Sequence, residues 1–373
     1  MESGPRTVPP YVTGPLELSP FRALHLAPRR VGDPASARAF ARPYRAVRQR
    51  LETWCSRGQA SRAVREALFL HEYSDSGLTV RGLVGCLDIS HPAATAQQAQ
   101  VLPHEGVQPR QVGDLAHRMS AMRLNPAPIL LVHRGPAGVR DVLARVRETP
   151  PAQDYQDHAG QLHRIWPITD PVQLAELATG LASGRLLVAD GHHRYAAYVA
   201  LHEREPSLAH RTGLAMIVDQ DDTPLFVGAI HRLFHGTKVP DLAQAAQRSG
   251  ARVCTIDADR AMAALGPDTF VLTDGQDWAT VTPEGPADGA VVRFVNQTLV
   301  PALSRAPSKV ALAHSAAEAM EHVRPGRVTA ALLPAVDLDT VMTVVGQGHL
   351  LPEKATSFQP KPSLGSFIRL LDE

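Results

Sequence analysis

Four consecutive apolar residues, Leu186-Leu187-Val188-Ala189, run without a spacer into Asp190-Gly191-His192-His193-Arg194. Arg194 to Glu203 then has helical composition, with Ala196, Val199 and Ala200 forming a narrow apolar stripe. A short apolar run that empties into a glycine-bearing turn and a helix is the mark of a buried strand, a tight turn and a helix start. That unit belongs to an α/β sheet, which gathers ligands at the carboxyl ends of its strands. The backbone N–H groups at a helix start and its macrodipole favour an anion. Arg194 can fork onto phosphate or carboxylate oxygens. Gly191 permits a close approach to the backbone, and His192 and His193 can donate hydrogen bonds or relay protons. Asp190 can bind a cation or accept a proton. Read locally, the same residues also serve as a plain helix cap with two packed histidines.

The rest of the chain supports a mixed α/β reading. Phe40, Tyr44, Val47, Leu51 and Trp54 recur at helical spacing and predict a helix over 35–54, its Arg-rich side a solvated face. Segments 67–73 and 78–89 predict a hairpin turning at Gly77. Short strands are expected at 128–132, 164–168, 214–219 and 225–233, with helices at 115–124, 139–147 and 172–183 between them. Asp219, Asp221 and Asp222 read as a turn. Composition shifts after Gly236, where a second run of helices and strands begins. Residues 1–19, with Pro5, Pro9, Pro10, Gly14 and Pro15, are expected to be a flexible leader.

Several function classes lose support. Lysine and arginine total 38 and aspartate and glutamate 37, leaving +1, so no basic excess points to nucleic acid. No apolar run reaches the length of a membrane span. The N-terminus lacks the order of a signal peptide, so a cytoplasmic protein is expected. The three cysteines are far apart and offer no zinc framework. Walker, dinucleotide, His-Glu-x-x-His and Gly-x-Ser-x-Gly patterns are absent.

Other residues carry possible chemistry. His104-Glu105 in a polar loop can form an acid–base pair or part of a metal shell. Asp114 and Arg118 have the spacing of a helix ion pair. His231-Arg232 on a strand, and Lys354, Thr356 and Lys361 near the C-terminus, can face a phosphate.

Val188-Ala189-Asp190-Gly191-His192-His193-Arg194-Tyr195 resembles the signature of the family called domain of unknown function 1015. Further stretches match it in order: Pro20-Phe21-Arg22-Ala23, Pro103-His104-Glu105 with Asp114, Asn125-Pro126-Ala127-Pro128-Ile129, His231-Arg232-Leu233 and Leu351 through Lys361. The family's core is similar to that of the free serine kinases, of the ParB/sulfiredoxin-like fold. The resemblance implies such a catalytic lobe over 20–236, a second α/β lobe over 237–347 and a tail, 348–373, folding back on the site. It implies a phosphotransferase acting on a hydroxylated small molecule with ADP or ATP and Mg²⁺. Gly191, His192, Arg194, His231, Arg232, Lys354 and Lys361 would hold the nucleotide. Asp190, His193, Glu105 and His104 would act in catalysis, with Asp190 also binding the metal. Two other readings are a nucleotide-binding regulatory protein without chemistry and a metal-dependent phosphoesterase using Asp190, His193, His104 and Glu105. The oligomeric state is not legible. The family's Arg-Pro-Glu stretch appears here as Arg42-Pro43-Tyr44, without the glutamate.

Overall fold

The computed structural model describes residues 6–284 and 290–371. They form two units: residues 226–359, and the chain before 226 together with the segment from Pro360 onward. The architecture is mixed α/β in both.

In the larger unit, an eleven-stranded sheet among the described residues contains Leu186–Asp190 near its middle. This strand runs parallel to Val101–Pro103 on one side and antiparallel to Ile129–His133 on the other. Ile129–His133 runs parallel to Thr212–Asp219, which pairs antiparallel with Leu78–Asp88. Leu68–Asp75 joins Leu78–Asp88 in the expected hairpin. Leu186 through Ala189 are all buried, as their unbroken apolar run requires. The core packs Leu131, Leu186 and Val188 of the sheet with Met119, Val142, Leu177 and Tyr195 of four helices. A smaller sheet has the order Ala60–Arg62, Ala23–Leu26, Ile368–Leu370, Leu124–Asn125.

The other unit is built on a six-stranded antiparallel sheet among the described residues, with His231–His235 between Val328–Leu332 and Lys309–Ala313. Because His231–His235 is an interior strand there, the division falls before it, at 225/226 and not after residue 236. Residues 348–359 also stay in this unit, where Ser357–Gln359 pairs with Phe226–Gly228.

Several local expectations change; the strand expected over 225–233, for one, is two strands, Phe226–Gly228 and His231–His235, in different sheets. Residues 6–19 are not a free leader: Tyr11–Val12 and Leu18–Ser19 are strands of the large sheet. Apolar Val12 and Leu16 are buried, which outweighs the nearby prolines. The helix expected over 35–54 is broken, with short 3-10 turns at Pro34–Phe40 and Tyr44–Ala46 before the α-helix Val47–Ser56. Pro43 stops it, since its ring cannot sit within a continuous helix. Residues 150–158, whose polar composition predicts a connection, contain the edge strand Gln153–Gln156. Among the described residues, no helix is long and apolar enough to cross a membrane.

Candidate active site

Asp190 is the last residue of its strand, and Gly191 is the N-cap of the helix His192–Arg204. Gly191 has φ +92°, a left-handed conformation that disfavours residues with a β-carbon. A β-carbon there would lie 2.9 and 3.1 Å from Arg194 guanidinium nitrogens and 3.1 Å from Ile129 Cγ2. The close approach that glycine permits is therefore made by Arg194 itself. Asp190 does not cap the helix, which has no side-chain cap.

Arg194 Nη2 donates to Asp190 Oδ2 at 2.8 Å, and its Nη1 donates to the carbonyls of Pro128 at 2.6 Å and Ala127 at 3.3 Å. Lys361 Nζ pairs with the other carboxylate oxygen, Oδ1. Asp190 thus sits between two cations, and the Asn125–Ile129 stretch is tied to the same guanidinium.

Lys361 is held by its own segment. Tyr73 Oη donates to the Pro360 carbonyl at 2.8 Å, and Gln161 Nε2 donates to the Lys361 carbonyl at 3.1 Å. The Ser363 amide donates to Gln161 Oε1 at 3.0 Å. Beneath this segment lies a fully buried row. Asp157 Oδ2 is 3.1 Å from His163 Nε2, and His163 Nδ1 is 2.9 Å from His71 Nε2. Burial pushes Asp157 up, but hydrogen bonds from Ser363, His163 and Gln161 bring it below the usual carboxylate range. Burial lowers the pKa of His163, and that of His71 further.

The two histidines after Gly191 do a different job from the expected one. His192 Nε2 accepts the His104 amide at 3.3 Å, and His193 Nε2 accepts the Gln108 amide at 3.1 Å. A ring nitrogen that accepts is unprotonated, so each ring is neutral with its proton on Nδ1. They latch the loop 103–108 onto the helix start. The His104 ring meets the His192 ring edge-on at 4.5 Å between centroids. Val107 and Thr7 exchange both backbone hydrogen bonds, at 3.0 Å each, which pins the far side of the loop. Glu105 lies half-buried within it.

Asp190, Gly191, His192, His193, Arg194, His104, Glu105 and Lys361 therefore share one unit and one neighbourhood. His231, Arg232 and Lys354 lie in the other unit. His231 Nδ1 accepts the Leu333 amide at 3.0 Å, and burial, with Arg232 nearby, lowers its pKa to about 4. The buried Arg232 guanidinium donates to the carbonyls of Ile230 at 2.5 Å, Lys354 at 3.1 Å and Glu353 at 3.2 Å. These bonds spend it on holding the 353–354 turn, where Lys354 is left-handed with φ +58°.

A magnesium ion at Asp190 does not fit this donor set. Both carboxylate oxygens already face cationic side chains, and a divalent cation there would meet their repulsion. Among the described residues, no group of three or more His, Cys, Asp or Glu is placed to hold a metal. The set expected from Asp190, His193, His104 and Glu105 is likewise not brought together as such a group among the described residues, and His193 Nε2 is engaged by the Gln108 amide. Asp114 and Arg118 do not pair; the Arg118 guanidinium lies 5.7 Å from the Tyr44 ring centroid.

Sequence reasoning missed the anchors: Tyr73, Gln161 and the Asp157–His163–His71 row. Nothing in their local sequence signals them, because strand pairing sets 163 opposite 73 and 165 opposite 71, which makes His71 and His163 diagonal neighbours. It also missed Asn125 as a junction. Its Oδ1 accepts from the Leu214 amide and from Arg369, both at 3.3 Å.

The family described as "Protein of unknown function (DUF1015)" matches residues 16–304. The chain belongs to this family. No curated protein matches. Solved structures similar to this chain include a free serine kinase point mutant in complex with ADP, 15% identical with TM-score 0.42, covering 73% of this chain and 90% of that one. Another is a conserved hypothetical protein from Pyrococcus furiosus, 17% identical with TM-score 0.39, covering 73% and 93%. A third is a C-terminally truncated SbnI from Staphylococcus aureus, 13% identical with TM-score 0.43, covering 77% and 87%.

Proposed function

We propose that this family member is a cytoplasmic small-molecule phosphotransferase, kinase-like, that moves a phosphoryl group from ADP or ATP to a hydroxylated metabolite. The observation that carries the reading is the Arg194–Asp190–Lys361 cluster at the carboxyl ends of two parallel strands. Phosphoryl transfer asks a protein for positioning and charge compensation. Two cations flanking one carboxylate supply both. When phosphate oxygens arrive, Lys361 and Arg194 turn from Asp190 to them, and the carboxylate is left to accept a proton. The acceptor hydroxyl oxygen then bonds to phosphorus, its proton goes to Asp190, and the shortened nucleotide departs with the electron pair of the broken P–O bond. His192 and His193 act at one remove, as positioning residues that hold the 103–108 loop carrying Glu105.

ADP and ATP are both to be tried, with a panel of hydroxylated metabolites and release of AMP or ADP as the readout. Wild-type turnover is expected with one of the nucleotides. Asp190→Asn should lose it while still binding nucleotide, and Lys361→Met should weaken nucleotide binding about tenfold, the scale of one charge-assisted hydrogen bond. Nucleotide that neither turns over nor shifts the melting temperature would end the proposal.

One observation favours a second reading, a nucleotide-binding regulatory protein without chemistry. Tyr44, where the resemblance has a glutamate, packs beside Arg118 of the helix Pro109–Met122 and not beside Asp190. It predicts nucleotide binding with no phosphate transfer to any acceptor.

A further inference from the structure

We propose that the concavity between residues 42–45 and the C-terminal half of the helix Pro109–Met122 binds a small molecule carrying two or more linked phosphate groups. This site is separate from the Asp190 cluster. His193 is latched at Gln108, just before the helix, whereas the concavity begins at His117. At 1.5 Å per residue the separation along the axis is about 13 Å.

The concavity has a volume of about 940 Å³ and is lined by Arg42, Tyr44, Arg45, His117, Ser120 and Arg123, with Pro43 and Ala121. Among the described residues, no carboxylate lines it. The Arg42 and Arg118 guanidinium groups each lie 5.7 Å from the Tyr44 ring centroid. Neither these two nor Arg45 forms an ion pair with a carboxylate among the described residues.

The neighbouring arginines are used differently. Arg48 pairs with Glu52 at 3.4 Å. Arg50 donates to the carbonyls of Ala39, Ala41 and Pro43 and so shapes the loop on which Arg42 is presented. The acids nearby are Asp114, one turn earlier on the helix, and Glu205, which is bound to Arg204 and the Ser120 hydroxyl. Two separate elements thus bring like charges to one hollow in a chain whose total charge is only +1. A solvated basic face spreads such charges apart, while convergence on a concavity raises the local potential for an anion. Guanidinium groups on both walls fit phosphate oxygens in pairs, which favours a linked phosphate over a single one. The hollow is confined to two elements and lacks the extended stripe that a nucleic-acid duplex follows.

The test is calorimetric titration of the full chain with inorganic tripolyphosphate at physiological salt. Wild type should bind at the hollow with an affinity that falls tenfold or more in the double variant Arg42→Ser/Arg45→Ser and in Arg45→Glu. Those substitutions are at exposed positions, so melting temperature should not change. Lys361→Met, which alters only the Asp190 cluster, should leave this binding intact. Unchanged affinity in both arginine variants would overturn the proposal. So would loss of the binding in Lys361→Met alone, or tighter binding of a DNA duplex than of tripolyphosphate.

Discussion

At Asp190, substitution by asparagine keeps the side chain's shape and removes the charge that Arg194 and Lys361 share. The carboxylate side chain is 28% exposed and Lys361 45%, so solvent screens much of the attraction. Asp190→Asn should therefore cost at most about 1 kcal/mol in urea unfolding. Gly191→Ala is different, because it forces a β-carbon into a left-handed conformation and toward Arg194. It should cost about 1–3 kcal/mol, more than Asp190→Asn, and the same unfolding series checks the ordering. The reverse ordering would mean that the ion cluster and not the turn holds this corner.

The helix start and the 103–108 loop are coupled by two amide-to-imidazole bonds. His192→Ala and His193→Ala should each speed hydrogen exchange at the amide they release, His104 or Gln108, by roughly fivefold to tenfold, the equivalent of about 1 kcal/mol. Equal protection in the variants would mean that the two imidazole bonds do not hold the loop. At this scale the sequence was most legible where periodicity and punctuation agree. The hairpin at Gly77, the strand 186–190 and the helix after Gly191 all carry local signals. The helix 109–122 starts six residues before its expected beginning, with Pro109 as its first residue, where the missing N–H costs nothing. The residues of the Asp190 cluster were named from the sequence, but not their arrangement. Residue type shows that His192 and His193 can donate. Only the position of the 104 and 108 amides shows that they accept.

Over the whole molecule, buried histidines set the acid limit. His25, His71 and His163 all have folded pKa values lowered by burial. The unfolded chain takes up protons near pH 6.5 that the folded chain refuses, so their contribution is complete above that value and shrinks as pH falls below it. Asp157, depressed in the folded state, adds a second loss at lower pH, below the ordinary carboxylate value of about 4. Melting temperature should be flat from pH 8 to 7 and fall from about pH 6.5 downward. A midpoint that rises on acidification would contradict this placement of the histidines. The two units also differ in how they use the chain. Residues 226–359 are continuous and have their own sheet and core. That segment expressed alone should give a cooperative melt by circular dichroism, and a non-cooperative melt would show that it depends on the rest.

The larger unit is assembled from segments on either side of residues 226–359. Ile368–Leu370 fills the place between Ala23–Leu26 and Leu124–Asn125, both far away in sequence. Without it that slot would stand open, with two unpaired strand edges exposed to any passing extended peptide. The same segment brings Lys361 to Asp190. A variant truncated before Pro360 would keep the Asp-Gly-His-His-Arg turn yet have neither the closing strand nor the second cation. The sheet edge and the charge balance at Asp190 therefore stand or fall together.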